Sequence, residues 1–224
     1  MFESLQLARL PARHRGVLRE PTSTRPVLWI VEEDGVEAVV KDYSLNGFFY
    51  RSIIGRFLVW REQKAYRKLK GLKGVPALLR VIDGRALVLQ RVDGESLENL
   101  EARRRLPKSF FDELEALVRE VHRRGLVHCD LKRAPNILVG RDGKPYILDW
   151  SASVSRREMS LFPLNHVYER LLSDDFNAIT KVQLRHCPED VSPERKKRYF
   201  ARGPAEVFVR SIRDRCRELL KRVA

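Results

Sequence analysis

Cysteine is scarce in this 224-residue chain: Cys129, Cys187 and Cys216 lie far apart and form no C-x-x-C pair. That excludes a disulfide framework and a thiolate zinc site, and it fits a reducing compartment. Long apolar runs are missing as well. Stretches such as 27–31 and 86–89 stop at polar or charged residues, far short of the roughly 18 residues a bilayer crossing needs, so no transmembrane segment is expected. The start, Met1-Phe-Glu-Ser-Leu-Gln-Leu-Ala-Arg9, has neither the basic nor the apolar stretch of a secretory leader, which predicts a cytoplasmic location. There is no Gly/Ser or Pro-rich tract and no internal repeat, which excludes fibrous and low-complexity architectures.

With 43% hydrophobic and 33% charged residues the composition is that of a globular protein with a real core, and the length allows one or at most two domains. Lys and Arg number 44 against 30 Asp and Glu, a net charge of +14. Such an excess favours an anionic partner: nucleic acid, acidic lipid head groups or a phosphorylated small molecule. The cations fall in short clusters at 64–73, 103–105, 195–198 and 213–222, each of which reads by itself as the solvated face of a helix.

The first third of the chain reads as strands with one helix. Short β-branched runs at 27–31 and 36–41 flank Asp34-Gly35, a hairpin signal, and two more strands at 76–82 and 85–90 flank Asp83-Gly84. A fifth strand is expected near 16–19. Between the hairpins, residues 57–70 place Leu58, Ala65, Tyr66 and Leu69 on one face of a helix that Gly71 would stop. After Asp93-Gly94 the pattern turns helical. Ser109 is the expected N-cap of a helix ending at Gly125. A short β pair follows at 137–139 and 146–148, and later helices are expected to begin at Ser173, at Ser192-Pro193 and at Pro204.

The residues that carry chemistry cluster in 125–150. His128, Asp130, Lys132 and Asn136 follow a helix directly, and Asp149 ends the second strand of the β pair. Phosphoryl transfer needs a carboxylate to accept the acceptor hydroxyl's proton, oxygen ligands for Mg²⁺ and a cation on the γ-phosphate. Asp130 suits the first role, Asn136 and Asp149 the second, and Lys132 the third.

His128-Cys-Asp-Leu-Lys132 with Asn136, then Asp149-Trp-Ser151, resembles the H-R-D-L-x-x-x-N and D-F-G signatures of the protein-kinase-like superfamily. The resemblance implies a two-lobed α+β kinase fold, with a β-rich N-lobe carrying one helix and a reduced α-helical C-lobe. In this single domain, 1–224, the N-lobe would span about 15–91, the hinge about 90–94 and the C-lobe about 95–224. It further implies ATP and Mg²⁺ as cofactors, Lys41 on the α/β-phosphates with Glu62 fixing it, and Gln90 and Val92 as backbone contacts to adenine. His128 would orient the catalytic loop. Cys129, Trp29 and Trp60 read as packing residues, and His14, His122, His166 and His186 have no metal-ligand spacing.

Departures from the pattern narrow the reading. Asn136 falls one residue later than the family spacing allows, so the catalytic loop carries an insertion. Thr22-Ser-Thr24 stands where a Gly-rich loop is expected, no A-P-E follows, and only 75 residues come after Asp149. The reduced C-lobe resembles the small atypical kinases of the RIO type and the bacterial lipopolysaccharide-core kinases that act on Kdo or heptose. The expected activity is therefore transfer of the γ-phosphoryl group to a hydroxyl of a glycolipid sugar or of protein Ser/Thr. The chain would then work in the cytoplasm or peripherally at the inner membrane face. The rival readings are an RNA-associated ATPase scaffold, with the basic clusters on RNA, and a pseudokinase built on the same fold.

Overall fold

The computed structural model describes residues 2–101 and 103–200. The helix expected from Pro204, with Val207, Phe208, Ile212, Leu219, Leu220 and Val223 along one side, lies outside the described residues, as do Cys216 and the basic cluster 213–222. The described residues form two compact units, one made of 2–63 with 77–91 and the other of 64–76 with 92–200.

The first unit opens with a short helix, α1 (Leu10–Arg13), and continues through β1 (Gly16–Arg19), β2 (Val27–Glu33) and β3 (Val36–Asp42). After a π-helical turn, Tyr50–Ile54, come α2 (Gly55–Lys68), whose last turn belongs to the second unit, then β4 (Leu78–Ile82) and β5 (Ala86–Gln90). The strands form an antiparallel sheet in the order β1-β2-β3-β5-β4, as the hairpin signals predict. Both Asp-Gly pairs hold positive φ at each residue (Asp34 52°, Gly35 76°, Asp83 51°, Gly84 62°). That is the twist of a tight hairpin turn, and it is why this dipeptide is favoured there.

Strand alternation gives this sheet two buried faces. Val27, Trp29, Val31, Ala38, Val40, Ile82, Ala86 and Val88 form one core with Phe2, Leu5 and Leu10. The N-terminal segment thus covers one face, a role that no local pattern announces. Lys41 lies on the other face, opposite to Ala38 and Val40.

The second unit carries β6 (Gly94–Ser96), α3 (Leu97–Glu101), α4 (Lys108–Arg123), β7 (Leu126–Val127), β8 (Ile137–Gly140), β9 (Pro145–Ile147), β10 (Val154–Ser155), α5 (Leu164–His186) and α6 (Pro193–Phe200). Phe110, Phe111, Leu114, Leu117, Val118 and Val121 form the buried face of α4. That helix starts one residue before the expected cap: Pro107 is the N-cap and Ser109 sits inside the first turn without capping it. The expected β pair acquires a third strand, β6, on β8, where any Cβ at Gly94 would collide with the Val139 carbonyl.

The larger correction concerns α5. It runs through Ser173, which was expected to begin a helix, and it starts at Leu164. Residues 164–172 contain no breaker, and the Ser173 hydroxyl bonds back to the Glu169 carbonyl at 3.5 Å, the mid-helix alternative to capping. Ser192 does cap α6, its Oγ accepting from the N–H of Arg195 at 3.2 Å. No helix among the described residues is long and apolar enough to cross a membrane.

Candidate active site

In the first unit the alternation of β3 turns Lys41 toward α2, where its Nζ meets Glu62 Oε2 at 2.7 Å. Both side chains are buried, Glu62 completely. A pair this dry persists only when geometry repays the desolvation of two charges. Here it holds an ammonium on the sheet in a defined position. Gln90 closes β5, with its N–H donated to the Ala77 carbonyl at 2.8 Å and its side-chain oxygen accepting from the Ala77 N–H at 3.2 Å. Val92 follows just beyond the strand, half-buried. The turn that replaces a Gly-rich loop is fastened: Asn46 Nδ2 donates to the carbonyls of Thr22 (2.6 Å) and Arg25 (3.0 Å), and Tyr50 donates its hydroxyl to that of Thr24 at 2.8 Å.

In the second unit the loop that carries the sequence-expected residues 128–136 begins where β7 ends. Cys129 takes φ 67° and turns the chain sharply. His128 is fully enclosed; its Nε2 donates to the Leu148 carbonyl at 2.9 Å and its Nδ1 accepts from the N–H of Asp130 at 3.2 Å, a tautomer assigned by these partners. One imidazole thus ties this loop to the segment that leads from β9 to Asp149.

Asp130 itself is only partly buried. Asn136 Nδ2 donates to the Asp130 backbone carbonyl (2.9 Å) and to its Oδ2 (3.3 Å). Burial pushes the Asp130 carboxyl above its ordinary range, and the negative charge of Asp149 adds to this. The guanidinium of Arg133 and the Asn136 bond oppose the rise. A carboxylate raised in this way is a better proton acceptor, which is what a general base requires. Asp149 sits at φ 61° after β9, and Ser151 Oγ donates to its Oδ1 at 2.8 Å.

The extra residue of the loop is absorbed in a 3₁₀ turn, Ala134–Asn136. The turn carries Arg133 Nη1 to 3.5 Å from Asp130 Oδ2, while Lys132 lies half-buried in the same loop. Sequence reading missed Arg133. It also missed Asp175, which is buried on α5. Its carboxylate accepts the N–H of His128 at 2.8 Å and of Cys129 at 3.1 Å, and His122 Nε2 lies 3.0 Å away. A signal existed: Tyr168, Asp175, Ile179, Val182 and His186 recur at helical spacing on the buried stripe of α5, and an acid on such a stripe calls for an explanation. Extending the helix back to 164 is what reveals it. Cys129, read as packing inward, is half-buried beside this clamp.

The donor types fit one divalent cation. Among the described residues no group of three or more His, Cys, Asp or Glu could hold a metal by itself. Mg²⁺ is usually bound by one or two carboxylates with waters and substrate phosphates, and the Asp149 carboxylate with the Asn136 amide oxygen offers donors of that hard oxygen type.

A family model described as the RIO domain matches residues 50–192; Lys41 lies before that span. Among curated proteins the chain is 32% identical over 149 residues to the EKC/KEOPS complex subunit BUD32 of Encephalitozoon cuniculi (strain GB-M1), covering 63% of this chain and 72% of that one. Among solved structures it resembles the Rio2 kinase–ADP/Mg²⁺–phosphoaspartate complex from Chaetomium thermophilum, with a TM-score of 0.58, 20% identity and 83% of this chain covered. The Rio2 kinase structure from the same organism gives a TM-score of 0.57 at 20% identity over 80% of this chain. The chain spans 59% of the length of these Rio2 structures, and the likeness establishes the kinase-like α+β fold.

Proposed function

The chain belongs to the RIO-domain family, and from that premise we propose that it is an ATP- and Mg²⁺-dependent phosphotransferase acting on a hydroxyl group. The observation that carries this reading is Asp130: a carboxyl raised by burial, held at its side chain and backbone by Asn136 and set in a loop that His128 fixes. Asp130 would accept the proton of the acceptor hydroxyl. Lys41, held by Glu62, would bind the α/β-phosphates, and Gln90 and Val92 would contact adenine through their backbone. Asn136 and Asp149 would hold Mg²⁺, which supplies charge neutralisation on the phosphates. Lys132 would stabilise the γ-phosphate, and Arg133 shares its loop.

The acceptor proposed is a lipopolysaccharide-core sugar or a protein Ser/Thr. A second reading, ATP hydrolysis by an RNA-associated scaffold, draws support from the phosphoaspartate named in the Rio2 structure and from the +14 charge. A pseudokinase has less support, because one chain retains Lys41, Glu62, Asp130, Asn136 and Asp149 together. The deciding experiment incubates the protein with Mg²⁺ and γ-labelled ATP, alone, with a basic protein, with a lipopolysaccharide-core extract and with RNA. Label on an acceptor hydroxyl establishes transfer and names the acceptor. Inorganic phosphate as the sole labelled product, formed with ADP, supports the ATPase. No turnover of bound ATP overturns both and leaves the pseudokinase.

A further inference from the structure

The segment leading into and along α2 has two apolar faces, and only one of them is used by the core. Tyr50, Val59, Glu62, Ala65, Tyr66 and Leu69 face inward and are buried. The outward face carries Leu45, Phe48, Phe49, Ile53, Phe57 and Trp60, with Phe48 76% and Trp60 51% exposed. Positions 49, 53, 57 and 60 follow at helical spacing and form one stripe, although Trp60 reads from sequence as a packing residue. Singly exposed apolar residues are ordinary, whereas Leu45, Phe48, Phe49, Ile53 and Phe57, five within thirteen residues of chain, form an exposed patch of the kind that marks an interaction surface.

Charge defines the chemistry of that partner. Residues 43–61 contain Arg51, Arg56 and Arg61 and no Asp or Glu. Arg51 lies over the ring of Phe48 at 5.5 Å and Arg61 over that of Phe57 at 5.7 Å, while Phe57 and Trp60 are in ring contact at 5.9 Å. Guanidinium groups folded back on aromatic rings, with an indole beside them, suit an interface that is apolar below and anionic above. The aliphatic side chains of Leu45 and Ile53 interrupt the rings, so the stripe offers no continuous platform for stacked bases. An acyl-chain boundary accommodates aliphatic and aromatic groups alike. We infer that the exposed stripe of residues 45–60 is a docking face for an anionic lipid bilayer, seating its rings among the head groups with Arg51 and Arg56 on lipid phosphates. This surface stands apart from the proposed phosphotransfer and does not depend on it.

Tryptophan supplies the readout. Of the three tryptophans, Trp29 and Trp150 are buried and Trp60 alone is exposed. The 224-residue chain, without nucleotide, is to be sedimented with phosphatidylglycerol-containing vesicles and with phosphatidylcholine vesicles, following tryptophan emission. Binding to the anionic vesicles with a blue shift, quenched by lipids brominated on the acyl chains, is the expected result. Ile53→Ser/Phe57→Ser should abolish both binding and shift. Arg51→Gln/Arg56→Gln should weaken binding roughly fivefold per arginine, and it carries the test if the first variant fails to keep the wild-type melting transition. No binding to anionic vesicles, or binding undiminished in the variants, overturns the inference. So does a Trp60 shift produced by single-stranded RNA or by self-association in the absence of vesicles.

Discussion

Lys41 with Glu62 and Asp130 with Asn136 are both close polar contacts, yet the two units build them on opposite principles. The first is an ion pair closed off from water between a strand and a helix. The second is a partly exposed carboxylate held by a neutral amide and a distant guanidinium, with its loop anchored underneath by Asp175. Charge that must only be positioned can be buried with its partner. In the proposed role of Asp130, charge that gains and loses a proton stays near water and is tuned by its neighbours.

Asp130→Asn tests the reactive half most severely. It should lower phosphoryl transfer by roughly 10²–10⁴-fold with nucleotide binding retained, as measured by labelled-product formation beside equilibrium ATP binding; full turnover would remove Asp130 from the base role. The same variant should be more stable than the wild type at neutral pH. The folded-state pKa of Asp130 is raised, so its protonated form is favoured by folding and stability is lost as pH rises through that pKa. The difference in denaturant midpoint should close on acidification to below the ordinary aspartate range.

The buried half should respond in stability instead. Glu62→Gln removes the negative charge that Glu62 sets against the enclosed Lys41 ammonium, at a cost of about 3–5 kcal/mol in urea unfolding. The double change Lys41→Met/Glu62→Leu should recover most of that loss and still bind no ATP. If the double variant is as unstable as the single one, the pair is needed for the fold itself, beyond the cost of its charge.

Asp175→Ala probes the anchor beneath the loop. It strands the N–H groups of His128 and Cys129, and about 3 kcal/mol of stability should be lost. Faster hydrogen exchange at these two amides should accompany the loss; unchanged exchange would show that another group holds the loop.

The smallest effect is expected at Arg133. Its guanidinium is the first of the groups that oppose the rise in the Asp130 pKa, and the residue is largely exposed. Arg133→Ala should move the acidic limb of the kcat/KM profile to higher pH with little change at the plateau. A limb that stays in place would leave Arg133 without influence on the base.

Legibility differs between the regions for a physical reason. Asp34-Gly35 and Asp83-Gly84 announce their hairpins because a turn's backbone angles are decided by its own two residues. The loop from His128 to Asn136, with Asp149 beyond it, is legible because the proposed chemistry needs given side chains at given spacings along one stretch of chain. Asp175 is not legible in this way, since it acts 46 residues or more from the amides it holds and its meaning depends on which face of α5 is buried.

By itself, then, the sequence determined the hairpins, the α2 and α4 helices and the candidate chemical residues, because turn preference, helical period and motif spacing are all short-range. Tertiary structure alone decided that Phe2, Leu5 and Leu10 close one face of the sheet, that the Lys41–Glu62 pair implied by the resemblance is closed off from water, and that Asp175 lies under the loop from His128 to Asn136. These depend on which surfaces meet when apolar area leaves water, and that competition is settled over the whole chain, beyond the reach of any local window.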